Sequence, residues 1–67
     1  MKIGIITIGN ELLSGFTLDR NAAWIGQQLL SAGMKVDVHH TIPDNFVDIC
    51  DTLEYQWKEW ECDHIIV

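Results

Sequence analysis

Residues 2–15 read KIGIITIGNELLSG, an apolar run that changes abruptly into a polar, glycine-rich turn. The apolar part, Lys2 to Ile8, is β-branched at nearly every position, which is typical of a strand covered on both faces in a parallel sheet. Gly4 inside it predicts the close approach of a helix. The turn therefore follows the carboxyl end of a buried strand, which is where open parallel sheets bind ligands.

A helix and a second strand are predicted after this turn. The helix covers residues 19–32, with Asp19 as its N-cap and Gly33 as its left-handed stop. Residues 35–42 alternate between apolar and polar side chains, as in a strand with one wetter face. Pro43 then interrupts the chain.

A second helix is predicted after Pro43, capped by Asp44 or Asn45. One apolar stripe of this helix is predicted to form core or interface, and it contains Phe46, Ile49 or Cys50, Leu53, Trp57 and Trp60. Residues 63–67, DHIIV, indicate a last short buried strand.

This order of elements predicts an α/β fold built as a βαβαβ unit. Right-handed crossovers make its strands parallel, with the order 2-1-3 and one helix on each face. The third strand would then be an open edge, which is a pairing liability in a finished protein. We therefore expect residues 1–67 to be part of a domain, truncated after its third strand.

Composition excludes several classes of function. The chain has 67 residues and a net charge of −6, and its four Lys and Arg residues do not cluster, so a nucleic-acid surface is not expected. The sequence has no apolar run of the roughly 20 residues that span a bilayer, and no secretory leader is recognised. These two observations predict a cytoplasmic protein without membrane contact. Cys50 and Cys62 are predicted to be reduced, with Cys50 in the core.

Several segments together resemble a known family. They are IGNELLSG, LDRNAAWIGQQL, AGMKVDVHHTIPDN and DHIIV. In this order and spacing the chain resembles the amino-terminal half of the molybdopterin-binding domain of molybdenum-cofactor biosynthesis proteins, in the branch found in CinA-type proteins. The resemblance implies an anionic pterin ligand. It also implies that a glycine-rich turn completing the pocket belongs after Val67, where this sequence stops.

A second polar turn, TIPDN at residues 41–45, follows the second strand and is predicted to meet the first turn at the same rim of the sheet. The candidate site residues follow from these two turns and the resemblance. The candidates for catalysis are Glu11 and Asp44. The candidates for ligand binding are Gly9, Asn10, Glu11, Ser14, Gly15, Asp19, Asn21 and Asp44. Glu11 could accept hydrogen bonds from a pterin edge, bind a ribose diol or hold a divalent metal. The structural alternatives are a first-turn Glu on a helix for Glu11 and ordinary helix caps for Asp19 and Asp44.

Three functions remain open at this stage. The first is a binding domain for an anionic pterin, such as molybdopterin, or a nucleotide. The second is a metal-dependent pyrophosphatase acting on ADP-ribose-type nucleotides, which the resemblance implies and which would use a divalent metal. The third is a non-catalytic fragment that assembles with itself, as a homo-oligomer, or with the remainder of a longer chain. Trp24 lies off the main apolar stripe of its helix and is a candidate for such a contact.

Overall fold

The computed structural model describes residues 1–13 and 19–67. The elements in this part of the chain are β1 (Ile3–Ile8), α1 (Asn10–Leu13), α2 (Arg20–Ser31), β2 (Val38–Ile42), α3 (Phe46–Lys58) and β3 (His64–Ile66). The three strands are parallel and lie in the order β2-β1-β3. The predicted α/β fold and its strand order are therefore confirmed.

β1 occupies the centre of the sheet and supplies most of its core. Ile3, Ile5 and Ile6 are at most 3% exposed. A continuous apolar run suits this position, because a central strand with a helix on each face has no wet side. Val38 and Ile42 of β2 complete the core on one flank.

An aspartate ties the start of each flanking strand to β1. The Asp37 carboxylate accepts the N–H of Ile3 at 2.9 Å, and the Asp37 N–H donates to the Ile3 carbonyl at 2.8 Å. Asp63 bonds the backbone of Lys2 in the same way, at 2.8 and 2.9 Å. At Asp37 a side chain thus takes the place of a strand carbonyl, which explains why β2 begins at Val38 rather than at residue 35.

α3 packs on the face of the sheet that carries Gly4. Gln56 of α3 is fully buried, and its amide nitrogen donates to the Ile5 carbonyl at 3.1 Å and to His40 Nδ1 at 3.0 Å. A Cβ at Gly4 would lie 2.9 Å from Gln56 Cδ and 3.1 Å from Cys62 Sγ. The predicted close approach of a helix at Gly4 is therefore confirmed.

α2 lies on the opposite face. Successive side chains of a strand point to opposite sides, so His39 faces away from Gln56, and there it meets Asp19 at the start of α2. The predicted ends of α2 are confirmed. At the start of α2, the Asp19 side chain caps the helix by accepting the Ala22 N–H. At its other end the chain turns at Gly33, which has φ +80°, and the Met34 N–H donates to the Leu29 carbonyl.

The predicted apolar stripe of α3 is wrong in part. Phe46 is 80% and Trp57 70% exposed, and Trp60 is also exposed, whereas the buried residue of the helix is Gln56. The helix is rotated because the gap above Gly4 accepts the Gln56 side chain, and the Gln56 N–H then donates to the Ile5 carbonyl. Cys50 is exposed as well, and Cys62 is the buried thiol, so the predicted place of Cys50 in the core is also wrong.

Local interactions define the two ends of α3. Asn45 is its N-cap and accepts the Val47 N–H at 2.9 Å. Near the other end, Lys58 bonds Glu54 at 2.8 Å, which lowers the pKa of Glu54 and raises the pKa of Lys58. Both side chains are exposed, so this ion pair adds little stability.

Neither α3 nor any other helix in the described ranges has the length and apolarity to cross a membrane.

We expect Gly4→Ala to destabilise the protein by about 1–3 kcal/mol, because the new methyl group must displace Gln56 from its buried hydrogen bonds. Gly26→Ala is the matched control. A Cβ at Gly26, inside α2, meets nothing within 4 Å, so this change should stabilise by about 0.5–1 kcal/mol. Urea denaturation measures the free energy of unfolding of both variants. Equal changes in the two would contradict the packing described for Gly4.

We expect the two thiols to react very differently with a disulfide reagent such as DTNB at pH 8. Burial raises the pKa of Cys62, with the Asp37 carboxylate adding to the effect, so less thiolate is present and access is poor. Cys50 should react rapidly in the folded protein, and Cys62 only on unfolding. Cys50→Ser should remove the fast phase; a fast phase that survives this change would show that Cys62 is accessible.

Candidate functional site

A cleft of about 510 Å³ opens where β1 ends, between α1, α2 and the end of β3. This volume lies within the range of small-molecule sites. Its polar lining comes from Thr7, Asp19 and Asn21, and Trp24 contributes an aromatic ring. Its apolar lining comes from Ile5, Ile6, Ile8, Leu12, Ala22, Ile25, Ile66 and Val67. The cleft combines an apolar wall with a few convergent polar groups, as binding sites commonly do.

A hydrogen-bonded group of side chains borders the cleft on the α2 face of the sheet. The Thr7 hydroxyl lies 3.0 Å from His39 Nε2 and 2.9 Å from the Thr41 hydroxyl. His39 Nε2 in turn lies 3.7 Å from Asp19 Oδ2. The group joins β1 and β2 to the start of α2, so the cleft wall at Asp19 is held against the sheet.

Asp19 has two roles in the described chain. Its Oδ1 accepts the Ala22 N–H at 2.9 Å and thereby caps α2. Its Oδ2 is buried and accepts no hydrogen bond within the described residues, and His39 Nε2 lies 3.7 Å from it. The carboxylate therefore brings the start of α2 next to β2.

Apart from Asp44, the predicted site residues divide into three groups. Asp19 and Asn21 line the cleft. Gly9, Asn10 and Glu11 lie at the same end of β1, where α1 begins. Ser14 and Gly15 fall outside the described residues.

The two polar turns meet as predicted. The Gly9 N–H donates to the Ile42 carbonyl at 3.1 Å, so the turn that follows β2 starts beside the turn that follows β1. Asp44, in the second turn, is exposed and is not among the described cleft residues. Glu11 is exposed and folds over Gly9, where an added Cβ would lie 2.7 Å from its Oε1. The catalytic roles of Glu11 and Asp44 stay predictions.

Sequence reasoning did not find three residues of this region: Thr7, Trp24 as a cleft residue, and His39. For Thr7 a signal existed, because it is the polar residue of an otherwise apolar strand and lies two positions before the turn. His39 gave no comparable signal, since its contact with Asp19 joins residues 20 positions apart through the packing of α2.

The part of the chain that the structure describes contains no ligand set for the predicted divalent metal. Within residues 1–13 and 19–67, no three His, Cys, Asp or Glu side chains lie close enough together to hold a metal ion. Such sites are usually built from several oxygen or nitrogen ligands. The divalent metal stays a prediction.

Three comparisons place the chain among known proteins. Residues 4–67 match the family model described as a probable molybdopterin-binding domain. A CinA-like protein of Geotalea uraniireducens is 40% identical over 67 residues, which are 100% of this chain and 16% of that protein. A CinA-like protein of Fusobacterium nucleatum is 36% identical over 58 residues, which are 87% of this chain and 14% of that one.

A solved structure shows the same likeness. The protein CinA of unknown function from Thermoplasma acidophilum matches with a TM-score of 0.78 and 30% identity, over 96% of this chain and 37% of that chain. The fold is therefore shared, and this chain spans only a minor part of the length of these relatives.

We expect Asp19→Ala to destabilise the protein by about 1 kcal/mol, because α2 loses its cap and His39 loses its carboxylate. Asp19→Asn is the matched control, since Asn caps helices as well as Asp and removes only the charge. Its stability should stay close to that of the parent chain, because the cap of α2 is kept. Thermal unfolding followed by circular dichroism measures both variants; equal losses in the two would show that the cap contributes nothing.

Proposed function

Because the chain belongs to the family of probable molybdopterin-binding domains, we propose that its cleft binds an anionic pterin or a nucleotide. The observation that carries this proposal is the position of the cleft. It lies at the carboxyl end of β1, next to the point where the strand order 2-1-3 changes direction. Ligands of open parallel sheets bind at that point.

The chemistry of the lining is compatible with such a ligand. Asn21 offers both a hydrogen-bond donor and an acceptor, and Trp24, Ile25 and Leu12 provide an apolar wall for a flat ring. Binding is therefore the proposed function, and hydrolysis of ADP-ribose-type nucleotides stays a prediction.

The proposal is tested by isothermal titration calorimetry of the 67-residue chain with neopterin monophosphate and with ADP-ribose, both in the presence of EDTA. We expect a dissociation constant below about 1 mM for one of them, which is the range of weak specific binding. Asn21→Ala should weaken that binding roughly tenfold, the loss of about one hydrogen bond.

Gln28→Ala is the matched control, because it removes an exposed amide from the same helix at a position that does not line the cleft. It should bind like the parent chain. Failure of both ligands to bind would contradict the proposed function. Equal affinity of the parent chain and the Asn21 variant would show that the ligand binds outside this cleft.

A further inference from the structure

We propose that this cleft holds the uncharged planar ring of its ligand, stacked on Trp24 and hydrogen-bonded along its edge by Asn21. The ligand class is a nitrogen heteroaromatic ring with neighbouring donors and acceptors, such as a pterin or a guanine. The inference rests on the proposed function and assigns which end of the ligand lies in the described cleft.

The exposure of Trp24 is the first observation. Its side chain is 61% exposed although it lines the cleft, so an accessible aromatic face borders the space. Core packing does not explain this residue, because the buried residue of α2 is Ala22. Stacking between an aromatic side chain and a nucleobase contributes substantially to binding and tolerates different rings.

The spacing of Asn21 and Trp24 is the second observation. The two residues are three positions apart in α2, and residues at this spacing lie side by side on one face of a helix. A ring that stacks on the indole therefore presents its edge towards the Asn21 amide. An amide can donate and accept at once, which matches a heteroaromatic edge with adjacent N–H and carbonyl groups.

The other polar side chains of the described lining hold the fold together. The Thr7 hydroxyl bonds Thr41 and His39, and Asp19 caps α2 with Oδ1. Asp19 Oδ2 is buried 3.7 Å from His39 Nε2 and accepts no hydrogen bond within the described residues. The Asn21 amide is exposed and makes no hydrogen bond within the described residues. It is therefore the exposed polar side chain of the described lining, and it can bind a ligand without breaking an existing contact.

The charge of the lining selects the uncharged end of the ligand. The described lining contains one carboxylate, that of Asp19, and no Lys or Arg, and the chain as a whole carries −6. A phosphate placed among these groups would meet repulsion without a compensating cation. A neutral ring meets no such repulsion and gains from the apolar wall.

The test is a calorimetric titration of the 67-residue chain with neopterin, an uncharged pterin, and with ribose 5-phosphate, a charged sugar without a heteroaromatic ring. We expect neopterin to bind and ribose 5-phosphate to give no measurable heat. Trp24→Leu should weaken neopterin binding roughly tenfold, because the stacking face is lost while an apolar side chain remains. Trp24→Phe should retain most of the affinity.

Trp57→Leu is the matched control, because Trp57 is 70% exposed and does not line the cleft. It should bind neopterin like the parent chain. Circular dichroism melting of each variant separates a loss of stacking from a loss of folding, and the Phe variant keeps the test decisive if the Leu variant unfolds.

The same titrations with neopterin monophosphate separate this inference from the proposed function. If the phosphorylated pterin binds and Trp24→Leu leaves its affinity unchanged, the stacking inference is overturned and the proposed function stands. Tighter binding of ribose 5-phosphate than of neopterin overturns it too. If none of the probes binds, the proposed function fails and the inference fails with it.

Discussion

The hydrogen bond between the Gln56 amide and the Ile5 carbonyl, made above Gly4, is the interaction on which the rest of the structure depends. The same nitrogen also donates to His40 on β2, whereas Gln56 Oε1 is buried and accepts no hydrogen bond within the described residues. The contact joins α3 to two strands and fixes the rotation of the helix. Flipping the amide would place its oxygen against the Ile5 carbonyl, so the orientation is set as well.

The aspartates just before β2 and β3 anchor the end of the sheet at which the three strands begin. Asp37 bonds the backbone of Ile3 in β1, and Asp63 bonds the backbone of Lys2 just before β1. Each pairs a side chain with a main-chain group, and a hydrogen bond of this kind contributes about 1 kcal/mol. Because they set the register, they also set where the strands end and where the cleft begins.

Asp19 links the stability of the fold to the shape of the cleft. The same carboxylate caps α2, faces His39 on β2 and lines the cleft. A change at this position therefore alters both the anchoring of the helix and the wall that presents Asn21 and Trp24. This coupling arises because the switch point of the sheet is also where α2 must begin.

The sequence by itself determined the α/β class, the strand order, the caps of α2, the glycine gap at Gly4 and the meeting of the two polar turns. These depend on local periodicity, on turn chemistry and on the handedness of crossovers, all of which can be read along the chain. Only the tertiary structure decided which sector of α3 is buried, that Trp24 borders the cleft, and that His39 meets Asp19. An apolar stripe does not specify its partner surface, and here the gap over Gly4 selected Gln56 and left Phe46 and Trp57 exposed.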